Sequence, residues 1–313
     1  MEHIASLEGV VKRYGDVVAV DRVTLRVRQG EIFGLLGPNG AGKTTIINIL
    51  IGLLGMDEGR VMVQGREVTR GRTAVKRDIG IVPQELAIYE DLTCLENVKF
   101  FAGLYGLSGK ELEAAARRAL EACGLADRAK GVPRKFSGGM KRRLNIACAI
   151  AHRPRLIVMD EPTVGIDPQS RRHILSSVRT LNREGSTIIY TSHYMEEVEE
   201  VADRIAIMDH GKIIAEGTKD ELVGMITDTS TVIATLAGPV DALEPARLKE
   251  ISGVTAVELN EGVLKVTGDR VVNPLGPVVA ALSAAGVTLR SLESRTPDLE
   301  TVFLALTGRS LRD

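Results

Sequence analysis

One run of residues constrains this chain more than any other: Gly37-Pro38-Asn39-Gly40-Ala41-Gly42-Lys43-Thr44-Thr45. It fits G-x-x-x-x-G-K-[ST], the pattern of a loop that wraps phosphate. An apolar run, Ile32-Phe33-Gly34-Leu35-Leu36, precedes it, and Ile46-Ile47-Asn48-Ile49-Leu50 follows. The loop therefore joins a buried strand to a helix, the context the pattern needs. Glycines let backbone N–H groups converge on phosphate oxygens, and a helix N-terminus adds partial positive charge. Lys43 is expected to reach the β- and γ-phosphates, and the Thr44 hydroxyl to meet Mg²⁺. A plain glycine-rich turn has no use for a lysine here.

The 313 residues suffice for one large domain and a smaller one, and 44% hydrophobic content supports a sizeable core. Forty Lys and Arg against 41 Asp and Glu give no general attraction to nucleic acid. Cys94, Cys123 and Cys148 are odd in number and scattered without metal-ligand spacing, which predicts reduced thiols in a cytosolic protein. Met1-Glu2-His3 opens no signal-peptide pattern. No apolar run approaches the roughly 18–20 residues of a membrane helix, and the longest candidate, 144–151, carries Asn145. Any membrane role is expected to come through a partner.

The first two-thirds alternates buried strands with amphipathic helices, the pattern of an α/β fold with a parallel sheet. Strands are expected over 31–36, 156–159 and 187–190. They run into the phosphate loop, into Asp160-Glu161 and into Thr191-Ser192-His193. Ligands of open α/β sheets sit outside the carboxyl ends of strands, so the three polar ends should converge. Between the first two lies a helical region, roughly 84–152. Ser108-x-x-Glu111 reads as a capping box, and Leu112, Ala115, Ala119, Leu120 and Cys123 recur at helical spacing. A second helix from about Met140 carries Leu144, Ala147 and Ala151 on one face and Lys141, Arg142 and Asn145 opposite. A strand pair over 204–208 and 212–215 follows, then a short helix capped by Thr218-x-x-Glu221. Beyond about Thr227 the elements become short and rich in Ala and Val. Strands over 231–236, 254–259, 263–267 and 287–293, with helices over 240–250 and 273–285, give the order βαββαβ of a small α+β domain. A hairpin turn at Asn260-Glu261-Gly262 and a last helix over 298–306 complete it. It contains no evident catalytic cluster and reads as a structural or dimerising appendage. The expected domains are 1–225 and 226–313.

Phosphate binding alone leaves many NTPases open. Asp160 is expected to hold Mg²⁺, directly or through water, and Glu161 to orient and polarise the attacking water. His193, at the next strand end, is placed to sense the γ-phosphate and position Glu161. Gln84 follows Ile79-Gly80-Ile81-Val82-Pro83. Its amide suits a switch that ligates Mg²⁺ or the water and then lets go. Phe136-Ser137-Gly138-Gly139-Met140 opens a helix and makes a second anion site. Two cradles in one chain make sense when two chains pair head-to-tail, each closing the other's nucleotide.

Together these residues resemble the ATPase subunit of the ABC transporter superfamily over about 4–217. The resemblance rests on the Walker A loop (Gly37 to Thr45), the Q-loop (Gln84), the signature motif (Phe136 to Met140), Walker B (Leu156 to Asp160) with Glu161, the D-loop (Gly165-Ile166-Asp167-Pro168) and the switch His193. It implies a P-loop NTPase fold. It also implies that Tyr14 stacks on adenine and that Ser137, Gly138, Gly139 and Asp167 face a partner's nucleotide. The signature is more often Leu-Ser-Gly-Gly-Gln; Phe136 and Met140 depart from it, and Met140 lacks the Gln amide. Ser-Gly-Gly-Met-Lys-Arg-Arg-Leu, Tyr89-Glu90-Asp91-Leu92-Thr93 followed by Glu96-Asn97, and the closing Thr296-Pro297-Asp298-Leu299-Glu300 with 302–308 resemble the daunorubicin-resistance-like ABC-2 exporter branch.

The resemblance implies an ATPase that takes ATP and Mg²⁺ and pairs with a second copy through its nucleotide sites. It implies docking, by the loop 85–91, on separate membrane permease subunits at the cytoplasmic face. The alternatives are the ATPase of an importer and a soluble ABC ATPase. The latter would bring a long coiled-coil insertion or two fused cassettes, and neither is present in this sequence.

Overall fold

The computed structural model describes residues 3–69, 76–226, 229–237, 245–260, 262–269, 274–295 and 297–308. β1 (His3–Tyr14) and β2 (Val17–Arg28) form an antiparallel hairpin. Along β2, Val23, Leu25 and Val27 are buried while Arg22, Thr24 and Arg26 face out, the two-residue period of a half-buried strand. β3 (Ile32–Leu36), buried at every position, leads through the glycine-rich loop into α1 (Lys43–Leu50). β4 (Glu58–Val63) and β5 (Arg66–Glu67) complete an antiparallel sheet of order β2-β1-β4-β5. No element is expected from the sequence before residue 31, where the alternation along β2 is the signal for a strand.

Next come β6 (Ile79–Val82), α2 (Cys94–Leu104), α3 (Gly109–Ala122), α4 (Gly138–Ile150), β7 (Leu156–Asp160), α5 (Pro168–Arg183) and β8 (Thr187–Ser192). α6 (Met195–Val201), β9 (Arg204–Asp209), β10 (Lys212–Gly217) and α7 (Lys219–Gly224) follow. The second sheet has the order β10-β9-β3-β8-β7-β6. β9, β3, β8, β7 and β6 run parallel and β10 is an antiparallel edge. The carboxyl ends of β3, β6, β7 and β8 therefore share one rim. One apolar core joins Val10, Val23 and Val61 of the first sheet, Ile46, Ile47 and Leu50 of α1, and Leu35, Val158 and Ile189 of the second. The phosphate-loop helix is thus held on both sides.

In the helical region the expected cap at Ser108 does not form: Ser108 is the N-cap of α3 but makes no side-chain bond. Gly109 has φ 55°, a left-handed start that differs from the αR geometry a capping box requires. The box is instead at Thr93, which accepts from the Glu96 N–H while the Glu96 carboxylate accepts from the Thr93 N–H. α4 starts at Gly138, two residues before the expected Met140, because Ser137 caps it. Its polar face is not a solvent face: Arg142 and Asn145 are buried. The three cysteines are free and buried, and burial pushes the Cys94 and Cys123 thiols up to about 11 and about 12.

His152, just past α4, stacks on Tyr105 with ring centroids 3.5 Å apart and planes 5° from parallel. Its Nε2 lies 3.3 Å from the Ile79 carbonyl oxygen, and its buried Nδ1 has no hydrogen-bond partner. Burial holds its pKa down at about 4, so the ring is neutral in the fold at neutral pH. The unfolded chain takes up that proton near pH 6.5. The stability contribution is therefore complete above about pH 6.5 and is lost as pH falls toward 4. Thermal melts from pH 7.5 to 5 should show wild type losing about 1–2 kcal/mol relative to His152→Phe, after allowing for partial exposure. Parallel pH profiles for the two proteins would remove this assignment.

The chain divides into two compact units between Lys219 and Asp220. The second contains β11 (Thr229–Ala237), α8 (Pro245–Lys249), β12 (Val254–Asn260), β13 (Val263–Asp269), α9 (Leu275–Ala284), β14 (Thr288–Arg295) and α10 (Leu299–Thr307). Its antiparallel sheet has the order β12-β13-β11-β14. This is the split βαβ arrangement that the order βαββαβ predicts. Val232, Ala234, Leu248, Leu264, Val266, Val278 and Leu282 form its own core. The expected boundary residue Thr227, residues 240–244 of the expected first helix, and Glu261, Asn273 and Thr296 lie outside the described residues. Among the described residues, no helix is long and apolar enough to cross a membrane.

Candidate nucleotide site

The loop after β3 is shaped by what lies against it. A Cβ at Gly37 would meet the Met208 carbonyl oxygen of β9 at 2.3 Å. Gly42, the N-cap of α1, has φ 107°, and a Cβ there would meet the Ala19 carbonyl oxygen at 2.5 Å. Only glycine fits either position. The Gly211 N–H donates to the Ala41 carbonyl at 2.9 Å, tying the loop to the β9–β10 turn. Lys43 opens α1 and is 4% exposed. Its Nζ donates to the Gly37 and Pro38 carbonyls at 2.7 and 3.1 Å and lies 3.1 Å from Glu161 Oε1. The ammonium thus sits inside the curl of its own loop. Pro38 is buried, Asn39, Gly40 and Thr44 are exposed, and Thr45 is half-buried.

β7 ends on buried Asp160, and Glu161 follows with φ 46°. That left-handed backbone costs a non-glycine residue on the order of 1 kcal/mol or more. It turns the Glu161 carboxylate toward two other strand ends. Oε1 meets Lys43, and Oε2 lies 3.2 Å from His193 Nδ1, just beyond β8. Beneath them Thr191 donates to Asp160 Oδ1 at 2.7 Å and accepts from the Glu161 N–H at 3.0 Å. Thr163, Tyr190 and Ser192 all donate to buried Glu197 Oε2, which firms up the end of β8.

The structure therefore brings together Lys43, Asp160, Glu161 and His193. It does not bring every expected residue to them. The Gln84 side chain is exposed; its backbone carbonyl accepts from Arg142 Nη2 at 2.5 Å, and the Pro83 carbonyl accepts from Nη1 at 2.7 Å. Tyr14 stands 51% exposed at the end of β1, with Lys12 Nζ 5.6 Å from its ring centre. Ser137 and Gly138 are exposed as well.

Comparison with known proteins decides the family. Residues 20–164 match the ABC transporter profile. Over 311 residues the chain is 45% identical to the linearmycin resistance ATP-binding protein LnrL of Bacillus subtilis, covering 98% of this chain and 99% of that one. The chain belongs to the ABC transporter ATP-binding family. It is 40% identical to the daunorubicin resistance ATP-binding protein DrrA3 of Streptomyces coeruleorubidus, over 98% of this chain and 96% of that one. Among solved structures it resembles the dimeric post-hydrolysis state of the ATP-binding cassette MJ0796 bound to ADP and Pi. That match has a TM-score of 0.63 and 29% identity, over 68% of this chain and 98% of that one. ATP is the nucleotide of an ABC ATPase, and its hydrolysis is the reaction.

In this ABC ATPase the signature segment is built as a helix tip. Ser137 Oγ accepts from the Met140 N–H at 3.3 Å. Gly139 is packed so tightly on the start of α5 that a Cβ would fall 2.1 Å from Ser170 Oγ. Asp167 caps α5, accepting from the Ser170 N–H at 2.9 Å, and that bond holds its carboxyl below the usual range. Signature tip and D-loop therefore form one rigid corner.

Sequence reading missed what the polar face of α4 does. Besides the two Arg142 bonds, Asn145 Oδ1 accepts from the Ala87 N–H at 3.2 Å, and Lys141 Nζ pairs with Glu90 at 2.5 Å. The signature helix grips the Q-loop along its length. The available signal was three polar residues on a helix whose other positions are nearly all apolar. Among the described residues no cluster of His, Cys, Asp and Glu could cage a metal.

Proposed function

We propose that this chain is the ATP-hydrolysing subunit of an ABC-2 type exporter, working as a homodimer that closes around two ATP molecules. One observation carries the chemistry: a single buried carboxylate, Glu161, bridges the phosphate-loop Lys43 and the switch His193. In this reading Glu161 orients and polarises the attacking water, His193 holds Glu161 and senses the γ-phosphate, and Lys43 leaves Glu161 to meet the β- and γ-phosphates. The loop from Gly37 to Thr45 wraps the phosphates, and Tyr14 stacks on adenine. Ser137, Gly138, Gly139 and Asp167 of each copy face the other copy's nucleotide.

The donors fit Mg²⁺. The exposed Thr44 hydroxyl and the Asp160 carboxylate would hold it through oxygen, as a hard cation demands, leaving places for phosphate and water, and the exposed Gln84 amide would join them only by moving in. When bound, the ion neutralises phosphate charge. The dimer is supported by the dimeric cassette MJ0796, which matches this chain's fold.

The grip of α4 on the Q-loop gives a route outward. Motion of the signature tip pulls on Pro83 and Gln84 through Arg142, and on the 85–91 loop through Asn145 and Lys141. Leu86, Tyr89 and Phe100 are exposed beside that loop, with Tyr89 edge-on to Phe100 at 4.9 Å. This surface is where a separate permease docks, placing the subunit at the cytoplasmic face of a membrane. The second compact unit, which begins at Asp220, is an accessory domain outside the chemistry.

Export is supported by the full-length relatives, which are named for linearmycin and daunorubicin resistance and, at 38% identity over the whole of both chains, for Nod factor export in Cupriavidus metallidurans. Deleting this chain from its host should raise sensitivity to such compounds at least severalfold. Wild type should restore resistance and Glu161→Gln should not, measured as inhibitory concentrations. Unchanged sensitivity together with lost uptake of a nutrient would turn the reading to an importer.

A further inference from the structure

We propose that Thr191 is a positioning residue for hydrolysis, its one hydroxyl fixing both consecutive acidic residues at the end of β7. The proposal rests on the roles read above for Asp160 and Glu161. Thr191 lies in the centre of the parallel sheet, opposite Leu35 of β3 on one side and Asp160 of β7 on the other. It is fully buried. Its hydroxyl donates to Asp160 Oδ1 at 2.7 Å and accepts from the Glu161 N–H at 3.0 Å. Chemistry forces both directions, since an ionised carboxylate only accepts and a backbone N–H only donates. A strand residue of pure β-propensity would leave both groups without this partner.

The second bond matters more. β7 ends at Asp160, and the N–H of Glu161, which follows it with φ 46°, donates to the Thr191 hydroxyl. Without the hydroxyl, a buried donor and a buried carboxylate oxygen would each lose a partner. Glu161 would then relax toward ordinary backbone angles, and its carboxylate would swing away from Lys43 and His193. The same hydroxyl sets the direction of the Asp160 carboxylate. One side chain therefore keeps two neighbouring acids, with different tasks, in fixed relation.

Valine has threonine's shape without its hydroxyl, and serine has the hydroxyl without the methyl. Steady-state hydrolysis by the purified full chain should show Thr191→Val with kcat lower by about 10–100-fold, the scale of a reacting group misplaced by about an ångström. The KM for ATP should stay within about threefold, because Lys43 and its loop are untouched. Thr191→Ser should hold kcat within about threefold of wild type. Binding of a fluorescent ATP analogue in EDTA should be no weaker than wild type in both variants. If Thr191→Val does not fold, Thr191→Ala beside Thr191→Ser makes the same comparison. Wild-type turnover in Thr191→Val, or a fall in Thr191→Ser as deep as in Thr191→Val, overturns the proposal. Normal hydrolysis by Glu161→Gln would instead remove the Glu161 role, and the Glu161 half of this proposal with it, whatever Thr191 does.

Discussion

Glu161→Gln is expected to lower ATP turnover by about 10²–10⁴-fold, the range a positioned general base contributes. Binding should survive and tighten. In the structure the Glu161 carboxylate lies 3.1 Å from the Lys43 ammonium, and both side chains are buried. A γ-phosphate must compete with it for that ammonium. Glutamine keeps the shape and a carbonyl oxygen for Lys43 but carries no charge, so the ammonium is released at lower cost. It also removes the repulsion between a carboxylate and a triphosphate in a site of low dielectric. A nucleotide-dependent dimer should therefore accumulate, visible by size-exclusion chromatography with ATP and absent without it. Normal turnover in this variant would end the proposed role of Glu161.

The parts of this architecture that read from sequence are those where chemistry and local pattern coincide. The strand before Gly37, the strand before Asp160 and the strand before His193 are buried at every residue and carry mostly apolar side chains, as strands covered on both faces do. Their convergence followed from one topological rule. The small second unit was legible because its alternation of short strands and helices admits few arrangements. What was hidden is long-range or needs coordinates. The hairpin of β1 and β2 carries its signal in alternation that the reading passed over. Arg142 looks like a surface residue, but its guanidinium ends on two carbonyls nearly sixty residues away in sequence. The Ser108 cap failed because a glycine's backbone angle decided the helix start, and no side-chain pattern reports that. Thr191 looked like one more β-branched strand residue; only the coordinates show its hydroxyl between two acids.

Lys43→Met should weaken ATP binding by about a hundredfold or more. A charge-assisted hydrogen bond to phosphate is worth roughly 1.5–3 kcal/mol, and in the proposed site Lys43 makes one to each of the β- and γ-phosphates. The net loss is smaller than their sum, because in the nucleotide-free chain the same ammonium already serves two carbonyls and Glu161. That exchange also predicts a second effect. Removing Lys43 takes the ammonium away from the buried Glu161 carboxylate and leaves it the His193 ring, 3.2 Å away. Uncompensated buried charge typically costs about 3–5 kcal/mol, so the melting temperature of the nucleotide-free protein should fall as well. Adding Glu161→Gln to Lys43→Met should recover much of that stability without recovering ATP binding, a non-additivity that a double-mutant cycle reads directly. If ATP is gripped by two copies, the variant has a further use. A Lys43→Met chain still presents an intact Ser137–Gly139 tip, and a Ser137→Arg chain still presents an intact loop. Each alone should be inert, while an equimolar mixture should regain hydrolysis through the one composite pocket built from both intact halves. Failure of the mixture, with both variants folded and able to form mixed dimers, would mean that the tip does not act on a partner's nucleotide.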